Sequence, residues 1–198
     1  MQRKRTTPPA RELVEGSSTG ALFMTIFGAV WGAAGAQALG GIAGAIALAA
    51  SRALAAVLVL GVGRLRRGAL GLPRDDSPRA REWRGRSLRR FNLVFGLQGV
   101  AIALSVFLLA RYDLGPLVPA VVAIIVGVHF FPLARLYEIK AYHATGAALC
   151  VLGAVAFLLA PPTRLPLVGL GCAAALFATA AYMLYLGGQA KRPDVPAA

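Results

Sequence analysis

Residues 21–63 read ALFMTIFGAVWGAAGAQALGGIAGAIALAASRALAAVLVLGVG and contain a single charged residue, Arg52. So long an apolar run is typical of a membrane protein rather than of a soluble domain. Because a hydrocarbon core of about 30 Å takes about 20 helical residues per crossing, the run is too long for one crossing and suits two. It predicts a membrane hairpin that turns at the glycine pair Gly40-Gly41.

Four further apolar runs follow, and each suits one crossing. Of the 198 residues, 58% are hydrophobic and 15% are charged, and the mean hydropathy is +0.67. The predicted fold is therefore an all-α polytopic membrane bundle of six transmembrane helices. The predicted helices are residues 21–38, 42–63, 91–110, 116–134, 141–160 and 165–187. Residues 1–20 and 188–198 are predicted as cytoplasmic tails, and residues 64–90 as a basic cytoplasmic loop.

The basic residues are distributed unevenly between the two sides of the predicted bundle. Of the 21 Lys and Arg, only Arg111 and Arg164 fall on one side, and Arg52 falls within a helix. The rest lie in the tails, the loop 64–90 and the turn 135–140. The positive-inside rule then predicts that both termini are cytoplasmic. Usage rich in Ala and Arg and poor in Lys indicates a GC-rich bacterial genome, so the expected location is the bacterial inner (plasma) membrane.

A net charge of +13 would indicate nucleic-acid binding in a soluble protein. No nucleic-acid-binding motif accompanies the charge, so the predicted partner is a bilayer with anionic headgroups and not nucleic acid. The second part of the loop, residues 79–90, is expected to form a short basic helix on the membrane surface. The residues predicted to contact headgroups are Trp83, Arg84, Arg86, Arg89 and Arg90.

Small residues recur at intervals of four in the first two helices and predict close helix packing. Gly28 and Gly32 form one such series in the first helix, and Gly40 and Gly44 form a second across the turn. A homo-oligomer or another membrane protein is a further expected partner of such faces.

The first two hairpins also resemble each other. The segment from Phe23 to Gly28 resembles the segment from Phe91 to Gly96, at an offset of 68 residues. Two or three hairpins repeated in the same orientation would explain the match. Chance similarity between helices rich in Ala and Gly is the alternative.

Arg52 and Gln98 are polar residues inside apolar helices and are candidates for ligand binding. An arginine at mid-membrane depth costs at least ~2.5–3.5 kcal/mol, so Arg52 is expected to face the interior, a cavity or a partner such as Gln98. An anion or headgroup site is the functional interpretation. The alternative is that the helix boundary is shifted or that Arg52 extends to the interface.

His129 and His143 flank the predicted turn at Tyr137-Glu138 and reach similar depths. Pro132 is expected to leave a carbonyl near position 128 unbonded and to allow a kink in the helix beside His129. Histidine titrates near neutral pH, so a proton relay or headgroup site is one interpretation. Packing of His129 and an interfacial position for His143 are the alternatives. We predict no metal site, no cofactor and no catalytic residue.

The segments Val126–Ala134 and Tyr142–Gly146 resemble the signature of uncharacterised bacterial six-helix integral membrane proteins. The resemblance implies a small multipass protein and no particular activity. Three functions therefore remain open: binding or transport of a small molecule, lipid or ion; a non-catalytic accessory or assembly role; and, most weakly supported, a membrane enzyme.

Overall fold

The computed structural model describes residues 10–73 and 77–190, and those residues form helices without any strand. The helices are α1 (Ala10–Leu39), α2 (Gly41–Ala69), α3 (Pro78–Arg111), α4 (Val118–Tyr137), α5 (Lys140–Ala156) and α6 (Pro161–Gln189), with a 3-10 turn at Gly115–Leu117 before α4. The predicted all-α fold with six helices is confirmed at this level. Five of them, all except α5, are long and apolar enough to cross a membrane.

The helix ends differ from the predicted bounds mainly at the basic segments. Residues 10–20 belong to α1 rather than to a tail, because Val14 is fully buried and packs with Leu65 and Ala69 of α2. Most of the predicted loop is helical as well, since α2 continues to Ala69 and α3 begins at Pro78. Arginine favours helix almost as much as alanine does, so charge ends the apolar run without ending the helix.

The basic residues 79–90 are the first turns of α3 and not a separate surface helix. The side chain of Ser77 accepts a hydrogen bond from the Ala80 amide at 3.2 Å and caps the helix, and Pro78 occupies its first turn. With 34 residues, α3 is about 51 Å long. It therefore exceeds the hydrocarbon core of about 30 Å, and its basic turns continue along the axis of the apolar part.

The helix α5 has only 17 residues and ends at Ala156 instead of residue 160. The Arg164 side chain folds back to it, and its Nε donates to the carbonyls of Ala156 at 3.1 Å and Leu159 at 3.0 Å. Pro161 then begins α6, four residues earlier than predicted, because proline is favoured in a first helical turn. Both α4 at Pro132 and α6 at Pro166 continue through an internal proline.

Helices that pack most closely are not always neighbours in sequence. The most extensive contact joins α1 to α6, followed by α4 with α5 and α1 with α2. In contrast, α3 packs mainly on α4, and its apolar stretch contains no buried residue. The rings of Phe23 and Phe91, the first residues of the two similar segments, lie 6.2 Å apart. The hairpin repeat itself stays a prediction.

Successive helices alternate in direction. The turn at Gly40 joins α1 to α2, while at the far end of this pair Arg66 contacts Ser18. Glu12 near the start of α1 pairs with Arg84 near the start of α3, so these two helices are parallel. The starts of α1, α3 and α5 and the ends of α2, α4 and α6 therefore share one end of the bundle. We call it the arginine end, after Arg66, Arg84, Arg89 and Arg90.

Candidate functional site

Near the end of α1 and the start of α6, these two helices are in backbone-to-backbone contact. A Cβ atom added to Gly35 would lie 2.7 Å from the Leu170 nitrogen, and one added to Gly169 would lie 2.6 Å from the Gly35 nitrogen. Only glycine permits this approach. Neither glycine was among the predicted packing residues, although both lie in sequences rich in small residues.

The four glycines predicted to pack have two different roles. Gly28 lies against the Phe177 ring, 2.8 Å from an added Cβ, and Gly32 lies against the Ser51 side chain. Gly44 lies against the backbone carbonyl of Ala36. Gly40 does not pack as predicted, since no atom lies within 4 Å of an added Cβ, but it does form the predicted turn between α1 and α2. Its φ of 67° makes it a turn residue.

The two segments that carry the family resemblance meet where α4 crosses α5. A Cβ atom on Gly127 would lie 2.7 Å from the Gly146 oxygen, and the reverse distance is also 2.7 Å. Beside this contact, the rings of Phe130 and Tyr142 pack edge to face, with their centroids 5.7 Å apart. Both side chains are buried. These segments therefore hold α4 against α5.

Two buried hydroxyl groups link α5 to α6, and the sequence analysis missed them. The Oγ1 atoms of Thr145 and Thr179 are 2.6 Å apart. Each also lies within 2.9 Å of a carbonyl one turn back, at Ala141 and Ala175 respectively. The two hydroxyl groups have only two hydrogens for these three contacts. One threonine therefore donates its hydrogen to the other threonine and makes no hydrogen bond to the carbonyl one turn back. This bond fixes the register of the two helices.

The structure does not bring together the polar residues predicted to form a membrane-embedded site. Arg52 is exposed on α2 and has no hydrogen-bond or ion-pair partner among residues 10–73 and 77–190. It was expected to face inward, but Ser51 faces α1, and the next residue lies about 100° further round the helix. Gln98 is half-buried on α3, and its buried Oε1 has no partner in the described part of the chain.

The two histidines contact different aromatic rings. His129 is half-buried, with its Nδ1 3.2 Å from the Val126 carbonyl and its ring 5.0 Å from Phe130. His143 is exposed and packs on a different ring, Phe131, at 5.9 Å. No hydrogen bond joins the two histidines in the described part of the chain, and a relay between them stays a prediction.

Charges concentrate at the arginine end, where the first turns of α3 lie. Arg84 bonds to Glu12 of α1, and Arg86 pairs with Glu82 at 3.2 Å. Arg89 and Arg90 are exposed, and no described residue pairs with either. They directly precede the apolar part of α3 and so lie at its border. The side chain of Trp83, also predicted to contact headgroups, lies outside the described part of the structure.

A pocket of about 280 Å³ opens between α1 and α2 at the same end. Arg66 crosses it, and its guanidinium donates to Ser18 Oγ at 3.3 Å and to Thr19 Oγ1 at 3.4 Å. Glu15 also lines the pocket, about one helical turn before Ser18 and Thr19 on α1, and pairs with Arg11 at 2.8 Å. Sequence analysis missed this pocket because its residues lay in segments that were predicted as a tail and a loop.

The profile of a protein family matches residues 82–186, which is more than half of the chain. The chain belongs to the DUF7010 family. Its description states that the family is of unknown function. No curated protein and no solved structure matches the chain. In this DUF7010 member the matched segment begins within α3 and ends within α6, so α1 and α2, which form the pocket, lie outside it.

Proposed function

We propose that this DUF7010 protein is an integral membrane protein that binds anionic lipid headgroups at its arginine end. The observation that carries the proposal is the pair of exposed arginines Arg89 and Arg90, which no described residue pairs with, at the border of an apolar helix. Basic residues near a membrane surface attract anionic lipid with about 1 kcal/mol each. We also propose the bacterial inner membrane as the location, with the arginine end on the cytoplasmic side.

The test replaces Arg89 and Arg90 with glutamine in the full chain. Two residues at about 1 kcal/mol each predict roughly 30-fold weaker binding of phosphatidylglycerol at low salt. Binding is measured in detergent by native mass spectrometry. The matched control replaces Arg52 and Arg111, which changes the charge equally and leaves binding unchanged. Equal losses in both double variants would contradict a local headgroup site.

Transport is less well supported than lipid binding. A transport site would place its polar residues around one path, whereas Arg52 is exposed and His129 and His143 contact different aromatic rings. These positions favour a binding role at the surface of the bundle. A membrane enzyme has no supporting observation among the described residues.

A second candidate is an accessory role through α3, as an interface between two copies of the chain. Cβ atoms added to Gly96 and Gly99 would meet nothing within 4 Å, so this small-residue face is open in the single chain. Two identical helices approach closely through such faces. The test is disulfide cross-linking of Gly99→Cys in a chain whose two cysteines are replaced by alanine. A covalent dimer is expected, whereas Val57→Cys on exposed α2 stays monomeric. A monomer from both variants would contradict the interface.

A further inference from the structure

We propose that the pocket between α1 and α2 binds a phosphate group linked to a primary ammonium group, as in a phosphoethanolamine headgroup. This inference rests on the proposed lipid-binding function and names a headgroup class for a second site. It follows from three features of the pocket: a cationic wall with hydroxyl groups, an acidic wall, and its depth.

The cationic wall suits a phosphate. Arg66 is held by two hydroxyl groups of α1, Ser18 and Thr19, at 3.3 and 3.4 Å. Both distances exceed the usual length of a hydrogen bond to a charged donor, so a phosphate oxygen would be a stronger acceptor for the guanidinium. Thr19 is exposed and can turn its hydroxyl hydrogen towards the same oxygen.

The acidic wall distinguishes this pocket from the rest of the arginine end. Arg11 occupies Oε1 of Glu15 at 2.8 Å, and no described residue bonds to Oε2. The Glu15 side chain is 45% exposed and lines the pocket. A purely anionic ligand would be repelled by this carboxylate. A ligand that carries a positive group beside its phosphate would instead satisfy both walls.

The position of Glu15 is fixed from two sides. Arg11 both pairs with it and donates to the Leu72 carbonyl at 3.2 Å, which ties the first turns of α1 to the residues after α2. Ser18 donates to the Glu15 carbonyl at 2.9 Å. Arg11 therefore holds the Glu15 carboxylate in place before any ligand arrives, which lowers the entropic cost of binding.

The pocket lies at the depth of lipid headgroups. Ser18 and Thr19 precede the apolar run that begins near residue 21, and Arg66 follows the end of that run at residue 63 by less than one helical turn. At the rim, Leu70 has 74% of its surface exposed. A headgroup can thus enter the pocket while its acyl chains stay beside the apolar surfaces of α1 and α2.

The experiment titrates the full chain in detergent with three short-chain lipids and follows binding by native mass spectrometry. Phosphatidylethanolamine carries a primary ammonium, phosphatidylcholine carries an ammonium without N–H donors, and phosphatidylglycerol carries none. We expect Glu15→Gln to weaken phosphatidylethanolamine about tenfold and to leave phosphatidylcholine unchanged. Arg66→Gln weakens both, and Arg67→Gln, a neighbouring exposed arginine, changes neither.

Soluble phosphoethanolamine and inorganic phosphate, added as competitors, distinguish a lipid from a free metabolite. Displacement of the lipid by phosphoethanolamine at equal concentration assigns the site to the soluble compound, and failure to displace it assigns the site to the lipid. The proposal is overturned if Glu15→Gln leaves the preference for phosphatidylethanolamine over phosphatidylcholine intact, or if inorganic phosphate alone competes as well as phosphoethanolamine. Since Arg89 and Arg90 lie on α3, loss of phosphatidylglycerol binding in their double variant tests the broader function separately.

Discussion

At Gly35 and Gly169 the backbones of α1 and α6 touch, and no side chain separates them. The same kind of contact joins α4 to α5 at Gly127 and Gly146. At each of these contacts the two helix backbones come closer than any residue with a side chain would allow. The contacts between α1 and α6 and between α4 and α5 therefore depend on glycine at these four positions.

We expect Gly35→Ala to lower the free energy of unfolding by about 1–3 kcal/mol, since the new methyl group would overlap with the backbone of α6. Thermal unfolding in detergent, followed by size-exclusion chromatography, measures the change. Gly96→Ala is the matched control, because an added Cβ there meets nothing within 4 Å. Equal melting temperatures for the two variants would show that α1 and α6 are not in backbone contact.

The bond between Thr145 and Thr179 predicts an energetic coupling of about 0.6 kcal/mol, the average for hydrogen bonds between membrane helices. A double-mutant cycle with Thr145→Val and Thr179→Val measures it, because valine keeps the shape and removes the hydroxyl. Unfolding titrations in mixed micelles give the four free energies. Strictly additive losses would contradict the bond.

The faces of individual residues were the least predictable part of the fold. Arg52 was expected to face inward, yet it is exposed, and the positions of Gly35 and Gly169 were not predicted. The reason is that lipid and bundle interior are both apolar, so hydrophobic periodicity does not show which face of a membrane helix is buried. The positions of charged residues, in contrast, help to predict the fold only where the chain leaves the apolar region.

The shortest α-helix, α5, is held at its end by the side chain of Arg164. Its guanidinium bonds the carbonyl of Ala156, the last residue of α5, and that of Leu159 in the turn that follows. Unpaired backbone oxygens and the helix dipole both favour a cation there. The sequence showed an arginine between prolines but did not show that it caps the preceding helix. Such a contact depends on the turn, which the apolar pattern does not describe.

We expect Arg164→Gln to lower the free energy of unfolding by about 1 kcal/mol and to speed amide exchange in the last turn of α5. Hydrogen exchange with mass spectrometry resolves this turn from the rest of the bundle. Arg111→Gln serves as the control, since Arg111 is an exposed arginine at the same end of the bundle. Unchanged exchange near Ala156 in the Arg164 variant would mean that the cap is dispensable.

The number and type of helices were predictable because a bilayer requires long apolar helices. Their lengths were not, since α1, α2 and α3 continue into charged sequence. There, burial of Val14 and capping by Ser77 determine the ends. The pocket proposed for phosphoethanolamine lies entirely in these extensions, so a prediction that ends each helix at the apolar border cannot find it.

For the whole molecule, the alternation of helices and the distribution of arginine predict one orientation in the membrane. Cysteines introduced at Arg67 and Thr163, in a chain whose own two cysteines are alanine, lie at opposite ends of the bundle. A membrane-impermeant maleimide should label Thr163→Cys in intact cells and Arg67→Cys only after permeabilisation. Leu176→Cys, at a position 1% exposed, should stay unlabelled in both conditions. The reverse labelling would mean that the arginine end is outside.

The unequal helix lengths also affect the surrounding lipid. With 17 residues, α5 is about 25 Å long, while α6, with 29 residues, is about 43 Å. A bilayer of about 30 Å must become thinner beside α5 and needs no such change beside α6. In the proposed membrane location, the protein would deform the bilayer on the flank of α5. Two molecules that approach flank to flank would then share a single deformation, which would give an attraction between them that requires no contact.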